Sequence, residues 1–266
     1  MLHENIRLLK KSFSFNRLIN AIKVITSYAI SLIFKRAVYW GSPPIIMIEP
    51  TNICNLKCPL CPSGNGTLKR TKGYMTFDVF KKIIDDSYKT AFMVVLWNQG
   101  EPYLNKDFSK MVKYASDKGL FTLVSTNGNI NYNAEEIVDS GLDSMIVSLD
   151  GTTQETYNKY RINGKLDNVV TNVKNIVAAK KKLKKSNPSL HWQFLVMKHN
   201  EHELEEIKQL TKELEVDNLE LKSIQIYSKD DIVNYLPTNP KYRRYKISGD
   251  NFELQYGIKN RCRRIW

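Results

Sequence analysis

The sequence predicts an α/β fold built on a parallel sheet, behind an N-terminal helical leader. Three observations lead there. Short apolar runs alternate with amphipathic helical patterns six times between residues 43 and 230. Such alternation implies right-handed crossovers between parallel strands, and six units fall short of a closed (β/α)8 barrel. Pro43-Pro44 then separates this region from a leader of purely helical periodicity.

In the leader, residues 1–42, Leu2, Ile6, Leu9 and Phe13 recur at helical spacing, and Ile22, Ile25, Ala29, Leu32 and Ile33 share a face. Eleven residues lie between Lys23 and Lys35, fewer than the ~20 that a bilayer span needs. No small-residue cleavage site follows, so a secretory signal is not expected. The leader is expected to pack on the domain, with peripheral contact to an anionic membrane surface as its functional alternative.

Ile45–Glu49 is a short apolar strand feeding a cysteine-rich loop. Thr76 can cap a helix carrying Phe77, Val79, Phe80, Ile83 and Ile84. Ala91–Trp97 is a continuous apolar run, as a strand buried on both faces should be. A helix over Phe108–Lys118 and a strand over Leu120–Ser125 follow. Ala134–Ser140 reads as a short helix and Ser144–Leu149 as a strand. Val169, Val173, Ile176, Val177 and Leu183 fit one face of a longer helix, whose solvated end is the lysine-rich run 180–185. His191–Met197 is strand-like, Glu203–Leu214 helical, and Leu219–Ile226 strand-like.

The net charge is +13, unevenly spread. Residues 1–42 hold seven Lys or Arg against one Glu, and the tail from 238 holds eight against two. The middle is therefore nearly neutral, which argues against a nucleic-acid groove across the core. Four cysteines are too few for a disulfide scaffold. A reducing compartment, the cytoplasm, is expected.

Cys54, Cys58 and Cys61 stand in the run Cys54-Asn55-Leu56-Lys57-Cys58-Pro59-Leu60-Cys61, with gaps of three residues and then two. Three thiolates in one loop can wrap a metal centre but leave one coordination position open. A vacancy of that kind points to chemistry rather than scaffolding. A zinc site with a distant fourth ligand is the alternative, although His191, His199 and His202 lack zinc-finger spacing to the cysteines.

The cysteine spacing and its flanks resemble the radical S-adenosylmethionine (radical SAM) enzymes. The resemblance implies a six-unit partial TIM barrel. It also implies a [4Fe–4S] cluster on Cys54, Cys58 and Cys61, with the open iron chelated by SAM. SAM is then cleaved reductively to a 5′-deoxyadenosyl radical that abstracts hydrogen from a substrate. An electron donor such as flavodoxin or ferredoxin is implied as a partner.

In parallel α/β folds, sites lie at the C-terminal ends of strands. After the second strand, Asn98-Gln99-Gly100-Glu101-Pro102 resembles the family's GGEP motif, with Gln99 in place of the first glycine; Gly100 and Glu101 would meet the amino group of SAM. After the third, Ser125-Thr126-Asn127-Gly128 is similar to the segment near the SAM ribose, with Asn127 as the candidate. After the fourth come Ser148-Leu149-Asp150-Gly151 and Tyr160-Arg161. They resemble family members with C-terminal SPASM domains, in which the serine and arginine contact SAM. An arginine fork suits a carboxylate. Without the resemblance, Asp150 reads as a helix N-cap and Arg161 as a surface ion pair. Met197-Lys198-His199-Asn200-Glu201, after the fifth strand, has no assigned role.

Cys262 is similar to the first cysteine of a SPASM region, so residues 231–266 are expected to begin a truncated region of that type, after a core over 43–230. The substrate is expected to be a peptide or a membrane-associated glycan or lipid intermediate. Rival expectations are a radical SAM enzyme acting on RNA and a zinc-stabilised binding module.

Overall fold

A computed structural model describes residues 2–248 and 251–255. Six strands form one wholly parallel sheet in chain order: β1 (Ile45–Met47), β2 (Met93–Val95), β3 (Phe121–Thr126), β4 (Ser144–Ser148), β5 (Ser189–Val196) and β6 (Asn218–Ser223). β1 and β6 are not paired with each other, so the barrel is open, the partial TIM barrel that the alternation and the resemblance predict.

The helices number ten among the described residues. α1 (Leu2–Ser12) and α2 (Phe15–Phe34) form the leader, and α3 (Pro62–Asn65) closes the cysteine loop. α4 (Phe77–Ser87), α5 (Phe108–Asp117) and α6 (Ala134–Asp139) follow the first three strands. α7 (Gln154–Asn158) and α8 (Leu166–Lys182) follow β4, α9 (Leu204–Glu213) follows β5, and α10 (Lys229–Tyr235) follows β6. An antiparallel hairpin, β7 (Tyr245–Ser248) and β8 (Asn251–Leu254), comes after them.

Local chemistry explains the boundaries. Thr76 accepts a hydrogen bond from Val79 N at 3.4 Å and starts α4. α8 turns Val169, Val173, Ile176 and Ala179 inward at helical spacing. Its terminal lysines reach acids on neighbouring elements, Lys180 to Asp217 at 3.2 Å and Lys182 to Glu135 at 2.6 Å.

Two apolar clusters result. The larger lies between the sheet and its helices, around Phe80, Val124, Met145, Trp192 and Phe194. The smaller sits over the C-terminal end of the barrel. There Leu56, Cys58, Tyr160, Met197, Ile224, Ile226, Leu236 and Tyr245 are buried together, with Cys54, Cys61, Phe252 and Leu254 packed against them. The chain after β6 thus folds back over the cysteine loop.

The leader departs from expectation twice. Ser14 caps α2, which runs unbroken through Lys23 for 20 residues, long and apolar enough to cross a membrane by length and composition. The eleven-residue count understated the apolar helix, because one lysine does not end it. The leader packs on the domain as expected, but through polar side chains. The apolar residues Ile6, Leu9, Phe13, Ile22 and Ile25 are all exposed.

Candidate functional site

β1 delivers the chain to the cysteine loop, and a tight hydrogen-bond frame shapes that loop. Thr51 Oγ1 donates to Gly73 O at 2.8 Å, and Asn52 binds Thr71 O and Gly73 N at 2.8 and 3.0 Å. Cys61 N reaches Cys58 O at 3.2 Å, and Gly64 N reaches Cys61 O at 2.9 Å. A Cβ at Gly64 would lie 2.6 Å from Cys58 N, so only glycine lets the loop close this tightly.

The second strand end is fitted against that loop. Gly100 has φ +78°, and a Cβ there would stand 2.5 Å from Thr51 O. Glycine is required on both counts. Glu101 N donates to Ile53 O at 2.8 Å. Gln99, the departure from the GGEP pattern, meets the loop through its side chain: Ser63 Oγ donates to Gln99 Oε1 at 3.1 Å. Ser63 Oγ in turn accepts from Gly100 N at 3.2 Å.

Glu101 is 1% exposed and joins β2 to β3. Its carboxylate accepts from Thr126 Oγ1 at 2.7 Å, Asn127 N at 2.7 Å and Tyr103 N at 3.3 Å. Burial pushes its pKa up to about 7 against those hydrogen bonds and the distant pull of Arg161. Asn127 places Nδ2 2.8 Å from Asn55 Oδ1 and 3.7 Å from Cys54 Sγ.

Asp150 and Arg161 form a buried ion pair, Nε to Oδ2 at 2.6 Å. Neither simple expectation for them holds. The pair lies inside the molecule, and Thr153, not Asp150, caps the helix that follows. Burial pushes the Asp150 carboxyl up, opposed by Arg161 and by Leu195 N donating at 2.7 Å. Burial also disfavours the Arg161 charge, but Asp150 and Cys58 hold its pKa well above the usual value. Arg161 Nη1 lies 3.7 Å from Cys58 Sγ.

Of the three thiols, Cys58 is buried and Cys54 and Cys61 are half-buried. Burial pushes Cys54 up to about 11, despite the Leu56 N–H donated to its sulfur, and burial raises Cys58 against the pull of Arg161. Lys57, between the first two cysteines, is exposed.

Cys54, Cys58, Cys61, Gly100, Glu101, Asn127, Ser148 and Arg161 all line one cavity of about 250 Å³. None of His191, His199 and His202 lines it. His191 instead faces Glu4 at 3.3 Å, at the opposite end of the sheet. Among the described residues, no three His, Cys, Asp or Glu side chains converge closely enough to grip a single metal ion. Three soft thiols spread around a cavity suit an iron–sulfur group of several atoms. Cys262 lies outside the described residues.

Other residues of the site escaped sequence reasoning. Trp97, Gln193 and Leu195 also line the cavity, beside Tyr160 of the Tyr160-Arg161 segment. Asn200, fully buried, donates to Asp150 O at 3.0 Å and Leu195 O at 2.9 Å and accepts from Met197 N at 2.7 Å. It fixes the β4 and β5 ends to each other, which gives the segment after β5 a role. A buried asparagine in a strand-end turn was its only sequence signal.

The sequence model described as Radical SAM superfamily matches residues 48–211, well over half of the chain. Over 194 residues the chain is 29% identical to PqqA peptide cyclase of Bradyrhizobium diazoefficiens, covering 71% of this chain and 48% of the relative. It is 32% identical over 120 residues to Fe-coproporphyrin III synthase of Methanosarcina barkeri, covering 44% and 30% respectively. SuiB of Streptococcus suis shares the fold. Its S-adenosylmethionine-bound form aligns with a TM-score of 0.57 at 15% identity, over 72% of this chain and 42% of SuiB. Its form bound to precursor peptide SuiA aligns at 0.60 and 14% identity, over 79% and 47%. The chain spans about half, or less, of the length of these curated relatives. By the family match, the chain belongs to the radical SAM superfamily of enzymes.

Proposed function

We propose that the chain cleaves S-adenosylmethionine reductively and that the resulting 5′-deoxyadenosyl radical abstracts hydrogen from a peptide substrate. The reading rests on one observation: the three cysteines and all five candidate SAM contacts line a single cavity at the C-terminal end of the sheet. A [4Fe–4S] cluster held by Cys54, Cys58 and Cys61 would supply the electron, taken from a donor such as flavodoxin or ferredoxin.

The protein's own residues have separate tasks. Arg161 commits Nε to Asp150 and has further N–H groups to donate to the SAM carboxylate. Gly100 leaves its backbone open to the SAM amino group, and Glu101 holds that turn against β3. Asn127 and Ser148 close the cavity beside the ribose. The surrounding apolar cluster excludes water from a reactive radical.

A second cavity, of about 410 Å³, adjoins the first and shares Cys61, Tyr160, Gln193 and Leu195 with it. Lys222, Gln225, Tyr227 and Arg244 line its outer part, where a substrate would reach the radical. A peptide is favoured because PqqA peptide cyclase and peptide-bound SuiB are among the similar proteins. The exposed apolar face of the leader favours a membrane-associated glycan or lipid intermediate as the second reading. The cytoplasm, a reducing compartment, suits free thiols.

The test is anaerobic reconstitution with iron, sulfide and a strong reductant, following 5′-deoxyadenosine. The expected result is product from the wild type and background from Cys58→Ala. No product from fully loaded protein would overturn the proposal.

A further inference from the structure

Helix α2 is packed the wrong way round for a soluble protein. Its buried stripe is Arg17, Asn20, Val24 and Ser27, with Ser31 half-buried in the same line. Positions at these intervals share one face of a helix. That face is satisfied by hydrogen bonds. Arg17 donates to Tyr88 O, Ser12 O, Gly119 O and Lys118 O at 2.7 to 3.0 Å. Asn20 binds Thr90 O at 3.1 Å and both polar groups of the Ser42 backbone at 2.8 to 2.9 Å. Ser31 accepts from Val38 N at 2.9 Å, so the segment after α2 runs back along it.

The opposite face carries the apolar side chains. Ile22, Ile25 and Ile33 are 55%, 67% and 72% exposed. Phe34, Tyr39 and Trp40, at the turn and on the returning segment, are 65%, 80% and 55% exposed. A contiguous patch of this kind marks a docking surface.

Charge decides what docks there. No Asp or Glu occurs between Glu4 and Glu49, whereas seven Lys or Arg do. Arg7, Lys11 and Arg17 are held by the barrel, which leaves Lys10, Lys23, Lys35 and Arg36 exposed around the apolar face. A second copy of the chain would bring two such basic sets together with no acid in either segment. An anionic lipid leaflet complements both features, and exposed Trp and Tyr suit its interface.

We propose that α2 and the segment returning along it seat the protein on the surface of an anionic membrane, apolar face down, without spanning it. Spanning conflicts with the way the helix is fastened. Arg17 and Asn20 are tied to the barrel, so only residues 21–34 project, about 21 Å at a ~1.5 Å rise per residue. A hydrocarbon core is about 30 Å thick. The root of the helix lies at Tyr88, Thr90 and Gly119, at the N-terminal ends of β2 and β3. The cysteine cavity opens at the other end, so docking leaves it accessible.

The test is flotation of the whole chain with vesicles of phosphatidylcholine, with or without about one-third phosphatidylglycerol. It does not depend on the proposed reaction. The expected result is binding to the anionic vesicles alone, weakened at high salt. Binding should fall by at least about tenfold in Ile22→Ser/Ile25→Ser/Ile33→Ser and in Lys23→Glu/Lys35→Glu/Arg36→Glu. Unchanged circular dichroism and thermal unfolding would show both variants folded. Equal binding by the variants, or none by the wild type, would overturn the proposal. So would carbonate-resistant insertion, which means spanning, or self-association through the same residues without vesicle binding.

Discussion

At the N-terminal end of the sheet, most buried and half-buried polar side chains are matched by the protein itself, Arg7 Nε being an exception. Arg17 meets four backbone carbonyls, and Lys11 meets Ser116, Gly141 and Asp143. Asp143 also accepts from Thr122 N at 2.8 Å. At the C-terminal end the matching is partial. Glu101 is buried with its carboxyl pushed up to about 7, and desolvation raises the thiols of buried Cys58 and half-buried Cys54. Burial without compensation costs stability. The raised carboxyl and thiol pKa values thus gather at the cysteine end of the barrel, where the proposed cofactor would sit. Binding of the proposed cluster would require the thiols to give up protons, coupling that step to pH and to the packing around them.

Three substitutions test this contrast, from the largest expected effect to the smallest. Arg161→Met strands the Asp150 carboxylate, which is fully buried. Breaking a buried pair in this way should cost about 3–5 kcal/mol in urea denaturation, and 5′-deoxyadenosine formation should be lost with it. A cost near zero would mean that Asp150 is already neutral. Arg17→Ala removes a guanidinium that is 4% exposed and orphans several carbonyls, costing about 2–3 kcal/mol. Chemistry should survive where the variant stays folded; a selective loss of activity would erase the contrast between the ends. Glu101→Gln tests the partial matching by pH. A carboxyl raised from 4.5 to about 7 keeps its proton in the folded state where the unfolded chain has lost it. Wild-type stability should therefore rise relative to the variant as the pH falls from about 7 to about 5, by ~1 kcal/mol per unit. A flat difference would show that Glu101 is ionised throughout.

Much of this was written locally in the chain. The six strand–helix units follow from periodicity, and the cysteine loop from spacing, because each involves residues within a few turns of one another. The predicted strand over Ala91–Trp97 is shorter in the fold, Met93–Val95, because its ends turn into loops. What escaped the sequence was pairing across distance. The Arg17 fork targets carbonyls some 70 to 100 residues away, and no pattern announces a carbonyl. Asp150 and Arg161 were both visible, yet their pairing depends on how the β4 end turns over Cys58. The leader shows the limit most clearly. Its helical period was legible, but period alone does not tell which face meets the protein.

The folding back of the chain after β6 over the cysteine loop has a consequence in time. Cys58 shares its apolar enclosure with Ile224, Leu236 and Tyr245, which are made long after it. At synthesis rates of ~5–20 residues per second, the thiols wait roughly ten to forty seconds before the last of that wall exists. During that interval the apolar wall over the cysteine loop is incomplete.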